Sequence, residues 1–126
     1  SRPVDSASGW FDCACGDIKS VHNYFETLIC PKDRRTGKIE EARACVISEY
    51  GGLALAIEGH LSSDRVYGYR KLKTGEEFQR RYEQFQSQLK KLQREGLSAA
   101  IYTQVSDIED EINGIYTYDR KVCKLQ

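Results

Sequence analysis

Four consecutive apolar residues, Ala44-Cys45-Val46-Ile47, run straight into Ser48-Glu49-Tyr50-Gly51-Gly52. A segment apolar at every position suits a strand buried on both faces, as in a parallel sheet covered by helices. No other stretch constrains the chain as strongly, and it points to an α/β arrangement. A carboxylate at the C-terminal end of such a strand stands where α/β folds place their chemistry. Glu49 is therefore the first candidate catalytic group. The simpler reading is a Glu that ends a strand before a Gly-Gly turn.

Around this strand the other elements are placed by pattern. Residues 2–8 and 18–21 read as short strands, with Pro3 tolerable only near a strand start or at an edge. Between them, Gly9-Trp10-Phe11-Asp12 reads as a loop with two exposed aromatics. Residues 31–43 are polar and turn-rich, which suits a solvated loop or a short frayed helix. Residues 53–73 are irregular, and a loop of that length is uncommon unless it is functional.

The clearest element is a helix over 75–95. Phe78, Tyr82, Phe85, Leu89 and Leu92 recur at spacings of four and three and form one apolar stripe. Thr74 and Glu77 make a capping box, and Gly96 stands where a left-handed cap belongs. Residues 97–104 form a fourth strand, and Asn113-Gly114 reads as a tight turn.

The chain has 126 residues. That is enough for one domain but about half of the ~250 residues of a full (β/α)8 barrel. Nineteen basic residues balance nineteen acidic ones, so electrostatics gives no reason to expect a nucleic-acid or membrane partner. Five cysteines are present. Cys45 belongs to the apolar run, and Cys13-Ala-Cys15 lacks a second ligand pair at zinc spacing. The acidic cluster Asp107, Glu109, Asp110, Glu111 lacks the alternation of a calcium loop. No metal and no cofactor are expected. Reduced thiols fit a cytoplasmic setting. No methionine is present, not even at position 1, so the chain is expected to start mid-protein or after processing.

Polar residues collect just after the strand ends: Asp5 and Ser6, His22-Asn23-Tyr24, Glu49-Tyr50, and Thr103-Gln104. Side chains from several strand ends meeting on one face is the arrangement of a (β/α)8 active site. With four strands available, the expected fold is half of a (β/α)8 barrel, with residues 1–126 a single partial domain.

The ordered motifs Ile47-Ser-Glu-Tyr-Gly-Gly52, Glu58-Gly59-His60, Tyr102-Thr103-Gln104, Asp107-Ile-Glu-Asp-Glu-Ile-Asn113-Gly114 and Thr117-Tyr-Asp-Arg120 resemble glycoside hydrolase family 2. This is the family of β-galactosidase and β-glucuronidase. Ala7-Ser-Gly-Trp10 and Asp17-Ile-Lys-Ser-Val-His22-Asn23-Tyr24 also fit its catalytic domain. The resemblance covers nearly the whole chain, with 31–43 the least similar part. It implies strands five to eight of the barrel with their helices, and Glu49 as nucleophile of a retaining β-glycosidase. Such an enzyme uses two carboxyl groups about 5–5.5 Å apart. By the same resemblance His22, Asn23 and Tyr24 orient Glu49 or bind sugar hydroxyls. Trp10 stacks on a sugar face, and Tyr50 and Gln104 complete the substrate contacts.

The family's acid/base is the Glu of an Asn-Glu pair, and this chain has none: Asn23 precedes Tyr24 and Asn113 precedes Gly114. The expected function is therefore a fragment of a glycosidase that supplies the nucleophile and is inactive alone. Its partners would be a carbohydrate substrate and the N-terminal half of the barrel, or a second copy of the chain. The alternative is a non-catalytic, self-associating half-barrel module in which Glu49 is only structural.

Overall fold

The computed structural model describes residues 2–7, 9–30, 32, 35–39 and 42–126. The apolar run forms the middle of β2 (Ala44–Gly51). Cys45, Val46 and Ile47 are all buried, Ile47 completely. β1 (Ile18–Asn23) lies beside β2 in parallel, with Ile18 opposite Ala44. Two further strands follow, β3 (Leu53–Ala54) and β4 (Arg70–Lys71), then α1 (Gly75–Arg94) and β5 (Leu97–Thr103). One sheet has the order β1-β2-β5, and the other pairs β3 with β4 in parallel. The continuous apolar pattern of β2 thus matches its central place in a parallel pairing.

This is not half of a (β/α)8 barrel. α1 is the one helix among the described residues, where half a barrel requires several. The physical reason lies in the connections. Only 75–95 carries an apolar stripe that a sheet can bury, and a short segment without such a face does not hold a helix in water. Residues 2–7 contribute a single antiparallel bridge, Asp5 with Gly16, rather than a strand. Ser8 of that expected strand lies outside the described residues. So do Pro31, Asp33, Arg34, Glu40 and Glu41 of the expected 31–43 loop. The irregular 53–73 stretch holds the two short strands β3 and β4.

Residues 1–50 and 86–101 form one compact unit, and 51–85 with 102–126 form another. In the first, Leu28, Cys30, Cys45, Val46, Ile47, Tyr50, Leu92 and Leu97 make the core. Burial pushes the Cys30 thiol up to about 11, with Cys45 beside it adding to the effect. In the second, Leu53, Ala54, Leu55, Phe78, Phe85 and Ile112 are buried.

The N-terminus of α1 follows the capping logic with one shift. Thr74 Oγ1 accepts from the Glu77 amide at 3.2 Å, as expected. The Glu77 carboxylate, however, accepts from the amide of Lys73 at 3.1 Å, one residue before the cap. Both bonds satisfy donors that a helix start leaves open. No helix among the described residues is long and apolar enough to cross a membrane.

Much of the second unit is loop, so its backbone needs side-chain partners. Asp107 and Lys124 supply them. Both side chains are essentially fully buried, and Lys124 Nζ reaches Asp107 Oδ1 at 2.7 Å and Oδ2 at 2.9 Å. Lys124 also donates to the Ile112 carbonyl, and Asp107 accepts from the Gly114 amide. At the expected Asn113-Gly114 turn, Gly114 is needed for closeness. A Cβ there would collide with the backbone of Ser106 and Asp107.

Burial alone pushes the Asp107 carboxyl up and the Lys124 amine down, so each charge depends on the other. Lys124→Met should therefore destabilise the fold by about 3–5 kcal/mol, because it strands a buried carboxylate. The double variant Lys124→Met with Asp107→Leu should recover part of that loss. Urea titrations of the two variants measure it. Equal midpoints for Lys124→Met and the parent chain would refute the role given to this pair.

Candidate active site at the ends of β1 and β2

The site begins with an irregularity in the β1–β2 ladder. Val21 pairs with Ile47, but the next residue, His22, pairs with Glu49. Ser48 is the extra residue, a bulge of the kind that re-aims side chains at sheet ends. Its hydroxyl donates to the Val21 carbonyl at 3.3 Å. Without the bulge, His22 would face Ser48. With it, Glu49 and His22 stand opposite each other.

A hydroxyl and an imidazole nitrogen converge on one oxygen of Glu49. The Tyr24 hydroxyl donates a hydrogen bond to Oε2. His22 Nδ1 lies 3.4 Å from the same oxygen. The Glu49 side chain keeps 39% of its surface exposed, so it is both held and reachable. Oε1 accepts no hydrogen bond among the described residues. One oxygen of the carboxylate is thus anchored and the other is open.

The His22 ring is itself fixed on several sides. Trp10 meets it edge-on with centroids 6.0 Å apart, and Tyr24 does so at 6.3 Å. The His22 amide donates to the Gly9 carbonyl at 3.0 Å. Gly9 has φ 113°, a conformation that favours glycine, and its turn carries Trp10 to the ring. Trp10 remains 58% exposed, so much of its surface is open for stacking.

Not every residue singled out by sequence joins this cluster. Glu49, His22, Tyr24 and Trp10 do. Asn23 is buried and spends both polar atoms on its own loop, donating to the Ile29 carbonyl and accepting from the Phe25 amide. Tyr50 is buried, and its hydroxyl accepts from Gln86 at 3.0 Å. Alternation explains both, since neighbours of inward and outward residues point the other way along a strand. Gln104 belongs to the second unit, where its amide donates to Asn113 at 2.7 Å and Glu111 at 3.2 Å.

Sequence reasoning missed the support beneath Trp10. Arg43 grips Asp12 with two nitrogens, each at 2.8 Å, and Lys19 stands 3.8 Å away. Asp12 also accepts from the Ala14 amide, closing the loop that bears Trp10. The available signal was an Asp two residues after a Trp in a turn-forming stretch, with nothing to name Arg43 as its partner. Among the described residues, no group of three or more His, Cys, Asp or Glu side chains could hold a metal ion.

The Arg43 guanidinium holds the Asp12 carboxyl well below the usual carboxylate range. Its contribution to loop order is therefore present above the ordinary carboxylate pKa. It is lost as pH falls toward the depressed value. Trp10 is the sole tryptophan, so its fluorescence reports on this loop. The acid transition should move to higher pH in Arg43→Gln. An unmoved transition would show that the pair does not hold the loop.

No protein-family model matches the chain, and no curated protein matches it.

Proposed function

We propose that this chain supplies the nucleophile, Glu49, of a retaining β-glycosidase, and that the general acid/base comes from polypeptide outside it. The observation that carries the reading is the convergence of Tyr24 and His22 on Glu49 Oε2, with Oε1 open and Trp10 exposed beside them. The similarity of the ordered motifs to glycoside hydrolase family 2 supports it as well.

The chemistry follows from these groups. The open oxygen attacks the anomeric carbon as the glycosidic bond breaks, giving a covalent glycosyl ester and a leaving alkoxide. The Tyr24 hydroxyl, donating to a charged oxygen, keeps the carboxylate oriented through a charge-assisted bond. Trp10 offers an apolar face to the sugar ring. A second carboxyl must protonate the leaving oxygen and later take a proton from the incoming water. This chain lacks the Asn-Glu pair that would supply it, so its rate on ordinary glycosides should be lower by about 10²–10⁴-fold than with the acid in place.

A leaving group that needs no proton separates the two carboxyl roles. A fluorinated, dinitrophenyl-activated β-glycoside should label the chain once, on the peptide containing Glu49, as read by mass spectrometry. Glu49→Gln should take no label. Tyr24→Phe should react more slowly by about 10–150-fold, the value of a hydrogen bond of about 1.5–3 kcal/mol to a charged group. Labelling of another residue, or equal rates for Tyr24→Phe and the parent, would overturn the assignment.

One observation favours a second reading, in which the chain is a self-associating module. β5 lies at the edge of its sheet and contains neither a charge nor a proline. Ala99 and Ile101 are exposed on it. Such an edge is a template for strand pairing. Antiparallel pairing about Ala100 in a second copy would set Ala99 against Ile101 on each side. Sedimentation should then show a dimer that Ile101→Lys dissociates. A monomer at high concentration would dismiss this reading.

A further inference from the structure

Two buried thiols of the first unit take no part in the Glu49 chemistry. Cys30 and Cys45 each keep 1% of their surface exposed, and both are free. They meet: the Cys45 thiol lies within hydrogen-bonding reach of Cys30. Cys13, Cys15 and Cys123, by contrast, are exposed. A single buried thiol behaves as a small hydrophobe. Two in contact can do more, because only a short approach separates them from an S–S bond of about 2.0 Å.

The backbone on both sides of the pair is held. Cys45 stands on β2, opposite Lys19 of β1. Cys30 ends the segment that begins at Tyr24. Asn23 holds that segment through the Ile29 carbonyl, and Gln88 of α1 holds it through the Leu28 amide and the Glu26 carbonyl. The two sulfurs are therefore brought together by the fold itself. Each also borders a path from outside. Cys45 lines a cleft of about 960 Å³ and Cys30 one of about 320 Å³, with Lys32 and Glu95 on the walls of both. Burial pushes the Cys30 thiol up to about 11, so it is protonated at neutral pH and the first attack falls to Cys45. The reduced pair also gains nothing from a stabilised thiolate at Cys30, the feature that makes a disulfide easy to reduce.

We infer that Cys30 and Cys45 form a dithiol site that a small-molecule disulfide oxidises to an intramolecular disulfide. The Cys45 sulfur, as thiolate, attacks one sulfur of the reagent. The reagent's S–S bond breaks, and its other half leaves as a thiolate. The Cys30 sulfur, after giving its proton to solvent, attacks the Cys45 sulfur of this mixed disulfide and expels the second half. Two protein thiols have then lost two electrons and two protons, and the reagent has become two thiols. The new bond closes residues 31–44 into a loop and ties the segment that starts at Tyr24 to the strand that carries Glu49. The inference is independent of the role proposed for Glu49.

The test uses the full chain with Cys13→Ser, Cys15→Ser and Cys123→Ser, so that Cys30 and Cys45 are the cysteines left. Incubated with oxidised glutathione in native buffer, it should lose the mass of two hydrogens. A non-reducing peptide map should join the Cys30 peptide to the Cys45 peptide, in this variant and in the parent chain alike. Closing a loop of this length should raise the melting temperature by about 5–10 °C, and dithiothreitol should reverse both changes. The inference is overturned if both thiols stay free, if glutathione remains on one of them without closure, or if the bond forms only in urea. A melting temperature unchanged or lowered by oxidation would also overturn it, because the bond would then not join sulfurs already in place.

Discussion

The one-residue bulge at Ser48 decides what the first unit can do. Before it, β1 and β2 pair in regular parallel register. After it, the register of β2 advances by one, and Glu49 comes opposite His22. A strand period of two means that a single slip reverses every later side chain. The bulge therefore selects which residues of Ser48-Glu49-Tyr50 are presented and which are buried. Tyr50 goes to the core and bonds Gln86, while Glu49 goes to the donors. The ladder that stabilises the sheet and the geometry of the site are thus set by the same backbone feature.

The second unit solves a different problem. With two short strands and long loops, it has little ladder to satisfy its backbone. A buried carboxylate–ammonium pair takes over, joining residues seventeen positions apart and also binding the Gly114 amide and the Ile112 carbonyl. Such a pair costs desolvation free energy and adds little net stability over an apolar replacement. Its effect here is geometric. It ties Asp107 to the C-terminal segment that carries Lys124.

Much of this was legible in the sequence wherever a pattern had a period. The four-residue apolar run marked β2, and the stripe from Phe78 to Leu92 marked α1 together with its cap. Glu49 stood out because a carboxylate at the end of a buried strand is hard to explain by packing. Features without a period were invisible. The Ser48 bulge has no residue signature, so Asn23 and His22 looked equally able to reach Glu49. Asp107 was legible only as one member of an acidic cluster, and nothing singled out Lys124, because pairing over seventeen positions is a tertiary fact. The barrel expectation failed for a related reason. Strand-end polar residues repeat along the chain as they do in βα units, but the apolar faces that helices require do not repeat with them.

The carboxylates around Glu49 bear on how much chemistry its unit can complete. A retaining mechanism needs a second carboxyl that carries a proton when the first is ionised. In the first unit, Asp5 accepts from the Ser20 hydroxyl, Asp17 accepts from the Val4 amide, and Asp12 is clamped by Arg43. Hydrogen bonds donated to a carboxylate favour its charged form. The Arg43 guanidinium holds the Asp12 carboxyl well below the usual carboxylate range, so that group is suited to hold structure and unsuited to deliver a proton. Of the groups that do reach Glu49, Tyr24 donates a hydrogen bond to it and His22 Nδ1 stands 3.4 Å from the same oxygen. On the proposed reading the unit contributes one half of a two-carboxylate reaction: Glu49 is the nucleophile, and the proton for the departing oxygen comes from another carboxyl.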